Sequence, residues 1–195
     1  MRSRHDHGFH WFATASLFYN DEAGAKALAG GAALQPISGG TFSVAGGTVS
    51  VGLKDESGRF FSGFIAGGKQ VVVGSAGKSY TIVVKNNTAN RFECVLSVDG
   101  LDVLDGKTAA FTKRGYIVDG KGQLEVEGFR QSADAVAAFR FGSVQSSYSN
   151  QKHGETRNVG VIGIALFNEQ AGWDQNAVQK RRDANPFPGS TSVAP

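Results

Sequence analysis

An all-β fold, an antiparallel β-sandwich of jelly-roll-like type with extended N- and C-terminal arms, is predicted by three features of the sequence. Glycine counts 27 in 195 residues, against 4 prolines. That density marks tight turns and bulges, which short strands need and long helices avoid. Three Asp-Gly pairs (Asp99-Gly100, Asp105-Gly106 and Asp119-Gly120) crowd one stretch; such pairs supply the positive φ angles of hairpin turns. Residues 91–98 alternate strictly, with Phe92, Cys94, Leu96 and Val98 on one face and Arg91, Glu93, Val95 and Ser97 on the other. Period two with one apolar face is the signature of a half-buried strand. At 41% hydrophobic and 19% charged, the chain can build a core and carries too little charge for wholesale disorder. The length suits one domain of about 100–200 residues with extensions. The expected division is an N-terminal arm over residues 1–40, a sandwich core over 41–170 and a C-terminal tail over 171–195.

In chain order, residues 9–19 are aromatic and read as a strand along a sheet edge. Residues 21–29 suit a short helix stopped by Gly30-Gly31. Strands follow over 41–44 and 48–53, split by Gly46-Gly47, and over 59–66 and 70–73, split by Gly67-Gly68. A further strand over 79–85 is broken by Asn86-Asn87-Thr88, and the alternating strand 91–98 comes next. The Asp-Gly turns then predict a meander through 101–103, 108–111, 116–118 and 123–127. Residues 132–137 read as a brief helical turn with Ser132 as N-cap, 138–141 as strand, and 143–156 as a polar loop. Residues 158–167 are apolar on both faces, which predicts a central strand covered on each side. Within it, Gly160 and Gly163 signal a kink or a close backbone approach. Residues 173–182 suit a short helix, and 186–195 an extended tail.

Motifs that would carry chemistry are incomplete. Gly74-Ser75-Ala76-Gly77-Lys78-Ser79 ends like a phosphate-binding loop, but Val72 stands where the first glycine belongs and a strand, not a helix, follows. Cys94 lies on the core face of its strand, where a thiol stays protonated and inert. As the single cysteine it excludes an intrachain disulfide and a cysteine-based zinc cluster. His5, His7 and His10 cluster near the chain start with no ordered carboxylate partner, which reads as adventitious rather than designed metal binding, and His153 sits in the polar loop. The Asp-Gly spacing matches turns and lacks the calcium-loop pattern. Asn86-Asn87-Thr88 is formally a glycosylation acceptor, yet a turn after a strand explains it. Arg130 and Arg140 flank apolar strand residues and are read as structural partners of Glu127 or Asp134. No Gly-x-Ser-x-Gly elbow occurs. No catalytic residue, metal ligand or cofactor is therefore assigned.

The net charge of +3 is spread over 20 basic and 17 acidic residues. Only Lys180-Arg181-Arg182 forms a dense run, which reads as a solvated tail and argues against nucleic acid as partner. No apolar run reaches the ~18 residues of a membrane-spanning helix. Arg2 and Arg4 ahead of an aromatic run have the outline of a secretory leader. His10, Thr14 and Ser16 interrupt that run, and Asp21-Glu22 precede the small residues where cleavage would fall. The compartment is left open.

The segments Val98-Asp99-Gly100-Leu101-Asp102-Val103, Gly115-Tyr116, Gly128-Phe129-Arg130, Ala138-Phe139-Arg140-Phe141 and Asn158-Val159-Gly160-Val161-Ile162-Gly163 resemble an uncharacterised bacterial family of β-rich proteins. The resemblance covers under half the chain. It implies β-rich folding and nothing catalytic, and no functional residue is carried over from it.

The functional expectation is a non-catalytic structural or assembly protein, a self-associating sandwich subunit of a larger particle or coat such as a phage virion. Its partners would be itself or other structural subunits. Both tryptophans and several phenylalanines lie in the arms, and large aromatics anchor interfaces. The candidate interface residues are Phe9, Trp11, Phe12, Phe18, Trp173 and Phe187. The alternative is a carbohydrate- or ligand-binding module, with Trp11, Tyr148 and Trp173 as stacking surfaces.

Overall fold

A computed structural model describes residues 9–130, 135–142 and 160–169. The chain opens with β1 (Phe9–Asn20), α1 (Glu22–Leu28), β2 (Gln35–Pro36), β3 (Thr41–Val44) and β4 (Val49–Lys54). β5 (Gly63–Ala66), β6 (Lys69–Val73), β7 (Thr81–Asn86), β8 (Phe92–Val98) and β9 (Leu101–Asp102) follow. The last described strands are β10 (Tyr116–Val118), β11 (Gln123–Val126), β12 (Gly128–Arg130), β13 (Val136–Ala138) and β14 (Val161–Glu169).

Two sheets face each other. The larger has eight strands in the order β10-β8-β14-β1-β6-β5-β2, with β9 also on β8. The smaller runs β11-β7-β4-β3, and β12 pairs with β13 as a separate ribbon. Pairing is antiparallel except between β1 and β6, which run parallel from Leu17↔Gln70 to Asn20↔Val73. The core is the slab between the sheets. Leu17, Leu96 and Ile162 from the larger sheet meet Val51, Leu53 and Ile82 from the smaller in one buried cluster. The sequence makes this slab because successive strand residues point to opposite faces. In β8, Phe92, Cys94, Leu96 and Val98 all join the core, as their alternation requires.

β1 corrects the expected edge strand and, with it, the expected arm. It lies between β14 and β6, paired from Phe9↔Glu169 to Phe18↔Val161 on one side. Its inward residues Leu17 and Tyr19 are core. Residues 9–40 are thus built into the sandwich, while 1–8 and the whole expected tail 171–195 lie outside the described residues. Aromatic and β-branched content marks a strand but carries no information on its partners, which are set by non-local pairing.

α1 stands where the sequence placed a helix. Asp21 caps it by accepting from the Gly24 amide at 2.7 Å, and Glu22 pairs with Lys26 one turn on. Gly30 and Gly31, at φ 58° and 89°, end it. The helix lays Ala25 and Ala29 on the outer face of the larger sheet, against Ala66 and Val71, with Phe18 packed alongside.

Of the three Asp-Gly pairs, one makes the turn expected of it. Asp99 and Gly100, at φ 54° and 79°, join β8 to β9 with both residues in the left-handed region, as a type I′ turn requires. Asp105-Gly106 lies in a loop, and residues 108–111 are no strand; Thr108 makes only an isolated bridge to Leu101. Asp119-Gly120 carries the chain across the sandwich, from β10 in the larger sheet to β11 in the smaller. There Gly120 is obligatory, since a Cβ would stand 1.9 Å from the Ala89 carbonyl oxygen. The meander is therefore interrupted by a sheet crossing, because turn chemistry does not specify which sheet the next strand joins. Val136 and Ala137, read from sequence as helical, form β13 against β12; Ser132 and the 143–156 loop lie outside the described residues.

Gly100→Val should lower thermal stability clearly. A β-branched residue at φ 79° costs about 1–3 kcal/mol, and each kcal/mol moves the Tm of a chain this size by about 2–4 °C. Gly100→Asn should lose much less, since asparagine tolerates the left-handed region. Thermal melts of both variants decide the matter, and equal losses would count against the turn.

Candidate functional site

A concavity lined by described residues lies on the outer face of the larger sheet. Strand register builds its floor in rows across β8, β14 and β1. Ser97 pairs with Gly163 and Gly163 with Ser16; one step along, Val95 pairs with Ala165 and Ala165 with Thr14. The central strand contributes only glycine and alanine to these rows, so the floor dips along β14 between the flanking hydroxyls. Gly163 is tight for this reason: a Cβ there would meet the Ser97 Oγ at 2.5 Å. Of the two glycines read from sequence as a kink or close backbone approach, Gly160 makes it, at φ 83° with a Cβ placed 3.1 Å from the Tyr19 carbonyl oxygen, whereas Gly163 is crowded by a side chain.

Ala109, Ala110 and Phe111 wall the dip, closing a cleft of about 350 Å³. They belong to the loop between β9 and β10, which has its own polar skeleton. Asp102 Oδ1 accepts from the Leu104 amide at 2.9 Å and the Asp105 amide at 3.3 Å. Lys113 Nζ donates to both oxygens of Asp105, at 2.7 and 2.8 Å. The loop's far end is tied down by Glu93, whose Oε1 accepts from the Gly115 amide at 2.7 Å. Ala109 N donates to the Gly100 carbonyl at 2.9 Å. These bonds hold Phe111 at the rim with 61% of its surface exposed.

The cleft lining is uncharged. The carboxylates nearby serve the framework instead. Burial pushes the Asp102 carboxyl above the usual range, and the Leu104 amide pulls it back down. At the other end of β8, Asp99 Oδ1 accepts from the Tyr19 hydroxyl at 2.7 Å and the Gly160 amide at 2.8 Å. The Tyr80 ring packs on that of Tyr19, with centres 5.6 Å apart. The two bonds to Asp99 tie the end of β1 and the turn after β8 to the start of β14. Burial raises Asp99 above the carboxylate range and both tyrosines well above theirs.

The other residues singled out from sequence resolve as follows. Cys94 is fully buried in the core, and burial raises its thiol far above neutrality. Asn86 of the glycosylation-like triplet is fully buried. Its amide donates to the carbonyls of Asn90 and Asp119, and its Oδ1 accepts from Thr88, so it is a turn-closing residue with no path to sugar. Lys78 N donates to the Ser75 carbonyl, making a turn, and a strand follows rather than a phosphate-binding helix. Arg140 donates to the Gly77 carbonyl at 3.0 Å, and Asp134, one of its expected partners, lies outside the described residues. Among the described residues, no three His, Cys, Asp or Glu side chains come together as a metal site. His5, His7, His153, Tyr148, Trp173 and Phe187 lie outside the described residues, as do the side chains of Phe9, His10 and Trp11.

The candidate interface residues Phe12 and Phe18 are used within the chain. Phe12 packs edge-on against Phe92 with ring centres 6.2 Å apart. Phe18 lies under α1 with the Lys69 ammonium 5.5 Å from its ring. The cleft was not found by sequence reasoning, because its residues come from four distant segments. A signal existed: Val95 and Ser97 on the second face of residues 91–98, and Thr14 and Ser16 in the Ala-Thr-Ala-Ser alternation of residues 13–16, set short side chains opposite the core face.

Compared with known protein families, curated proteins and solved structures, the chain matches none of them. No helix among the described residues is long and apolar enough to cross a membrane.

Proposed function

We propose that the protein is a non-catalytic binding module that takes its ligand on the outer face of the larger sheet. The observation that carries this reading is the cleft of about 350 Å³ over β8, β14 and β1, walled by Ala109–Phe111. It falls in the size range of ligand sites, about 300–1,000 Å³, and has their composition, mostly apolar with a few placed polar groups. Its floor is rigid sheet and its wall is a loop fixed by hydrogen bonds, so little ordering is left to oppose binding. The nearby acids and the thiol are committed to the framework, which favours recognition over chemistry. Titrating isotope-labelled protein with cyclohexanol, a neutral ring bearing one hydroxyl, tests the reading. Amide shifts should concentrate at Ser16, Ser97, Ala109 and Gly163; a scattered pattern, or none, would discard the cleft as a site.

A self-associating structural subunit is the second reading. It is favoured by Phe111, a large aromatic 61% exposed on a fixed loop, the kind of residue that anchors protein interfaces. Under this reading Phe111→Ser lowers the mass measured by light scattering at high concentration. A parent protein that is already monomeric there removes it.

A further inference from the structure

Resting on the binding-module reading, we infer that the cleft takes a neutral saccharide, one sugar ring stacking on Phe111 while its hydroxyls meet Thr14, Ser16 and Ser97. Three features of the lining point to this class. First, none of the eleven lining residues is charged, in a chain that is 19% charged. Seating an ionised ligand here would strip its hydration without a compensating partner. Second, the polar groups are hydroxyls, each both a donor and an acceptor. That is the complement a sugar hydroxyl needs, whereas an aliphatic chain would leave three hydroxyls unpaired. Third, the register sets Ser97 and Ser16 on either side of Gly163 in one row, two strand spacings apart, or about 9.5 Å. The Ser97 hydroxyl leans into the space above Gly163, where a Cβ would meet its Oγ at 2.5 Å, so it is presented on the floor of the dip to a ring seated over the row. An apolar face beside a hydroxyl edge is what a pyranose ring presents, and the site offers the same pairing: Phe111, Val95 and Ala165 beside the hydroxyls.

The experiment uses the full chain and three probes, maltohexaose, cellohexaose and chitohexaose, with oligogalacturonate as charged comparison. At least one neutral probe should bind by calorimetry and shift the amides of Ser16, Ser97, Phe111 and Gly163, and oligogalacturonate should not. Phe111→Ala should weaken that binding about tenfold, consistent with loss of one aromatic contact, and Phe111→Trp should restore it. Because Phe111 is largely exposed, both variants should keep the parent's amide spectrum outside the loop. Failure of all three neutral probes, equal binding of oligogalacturonate, or shifts away from the cleft would each overturn the inference. Cyclohexanol separates the two failures. If it alone shifts the lining, the site stands and the saccharide class is wrong; if it too leaves the lining unchanged, the binding-module reading falls with the inference.

Discussion

Ile162→Asp should abolish soluble expression. Ile162 is fully buried in β14, the strand held between β8 and β1 in the larger sheet. Its side chain faces Leu17, Leu96 and the opposing sheet within the main core cluster. A carboxylate there has no cation to meet and leaves water for a hydrocarbon interior, at a cost of several kcal/mol. Loss of the isoleucine's packing adds about 2–5 kcal/mol, the usual size of a buried large-to-small change. Together these approach the ~5–15 kcal/mol that keeps such a domain folded. Ile162→Val, which keeps the shape and polarity, should cost only about 0.5–1.5 kcal/mol and remain soluble. Comparing soluble yield and thermal melts of the two decides it. A soluble, cooperatively melting Asp variant would mean that β14 is not the central strand of the core.

The local grammar of the sandwich was legible in the residues. The helix boundaries at Asp21 and Gly30, the glycine pairs of two hairpins and the alternation of β8 each follow from short-range sterics and burial, which act within a few residues. The apolar run around Ile162 also announced a central strand, and β14 does lie between β8 and β1; its inner face is core, while its outer face is covered only in part and floors the cleft. What was not legible is what depends on distant partners. β1 has the same composition whether it sits at an edge or between β14 and β6. Asp119-Gly120 codes a turn and not a crossing between sheets. The cleft shows the same division: its hydroxyl and small residues are individually bland, and only the register of three strands sets Ser97, Gly163 and Ser16 in one row. Asp99 is the mixed case. The turn was readable from Asp-Gly, but the carboxylate's bonds to Tyr19 and Gly160 reach across 80 and 61 residues of chain.

Those bonds make Asp99 the second position of large effect. Asp99→Ala should destabilise the fold by about 2–6 kcal/mol, because the Tyr19 hydroxyl and the Gly160 amide each lose a buried acceptor worth about 1–3 kcal/mol. Alanine at φ 54° adds about 1–2 kcal/mol of backbone strain. Asp99→Gly removes that strain and keeps the hydrogen-bond loss, so the difference between the two variants isolates the backbone contribution. Asp99→Asn keeps an Oδ1 acceptor and tolerates the left-handed conformation, and at neutral pH should stay within about 0.5 kcal/mol of the parent or exceed it. The pH dependence then has a definite sign. Burial raises the Asp99 carboxyl above its ordinary pKa of 3.8, against the pull of the Tyr19 and Gly160 bonds. The folded state therefore holds the proton more tightly than the unfolded chain, and burying the charge costs stability above the folded pKa. That cost is relieved as pH falls through the folded pKa toward 3.8. Surface carboxylates act in the opposite sense. Glu22 is held low by Lys26, Asp55 by Ser57 and Glu125 by Lys54, so their contributions fade in acid. Subtracting the Asn variant's melting curve from the parent's cancels them and leaves Asp99 alone. The parent should gain on the Asn variant as pH drops from 7 toward 4. A parent that instead loses ground to Asn over that range, or an Ala variant melting within about 2 °C of the parent, would show that Asp99 is not the buried acceptor joining β1, β8 and β14.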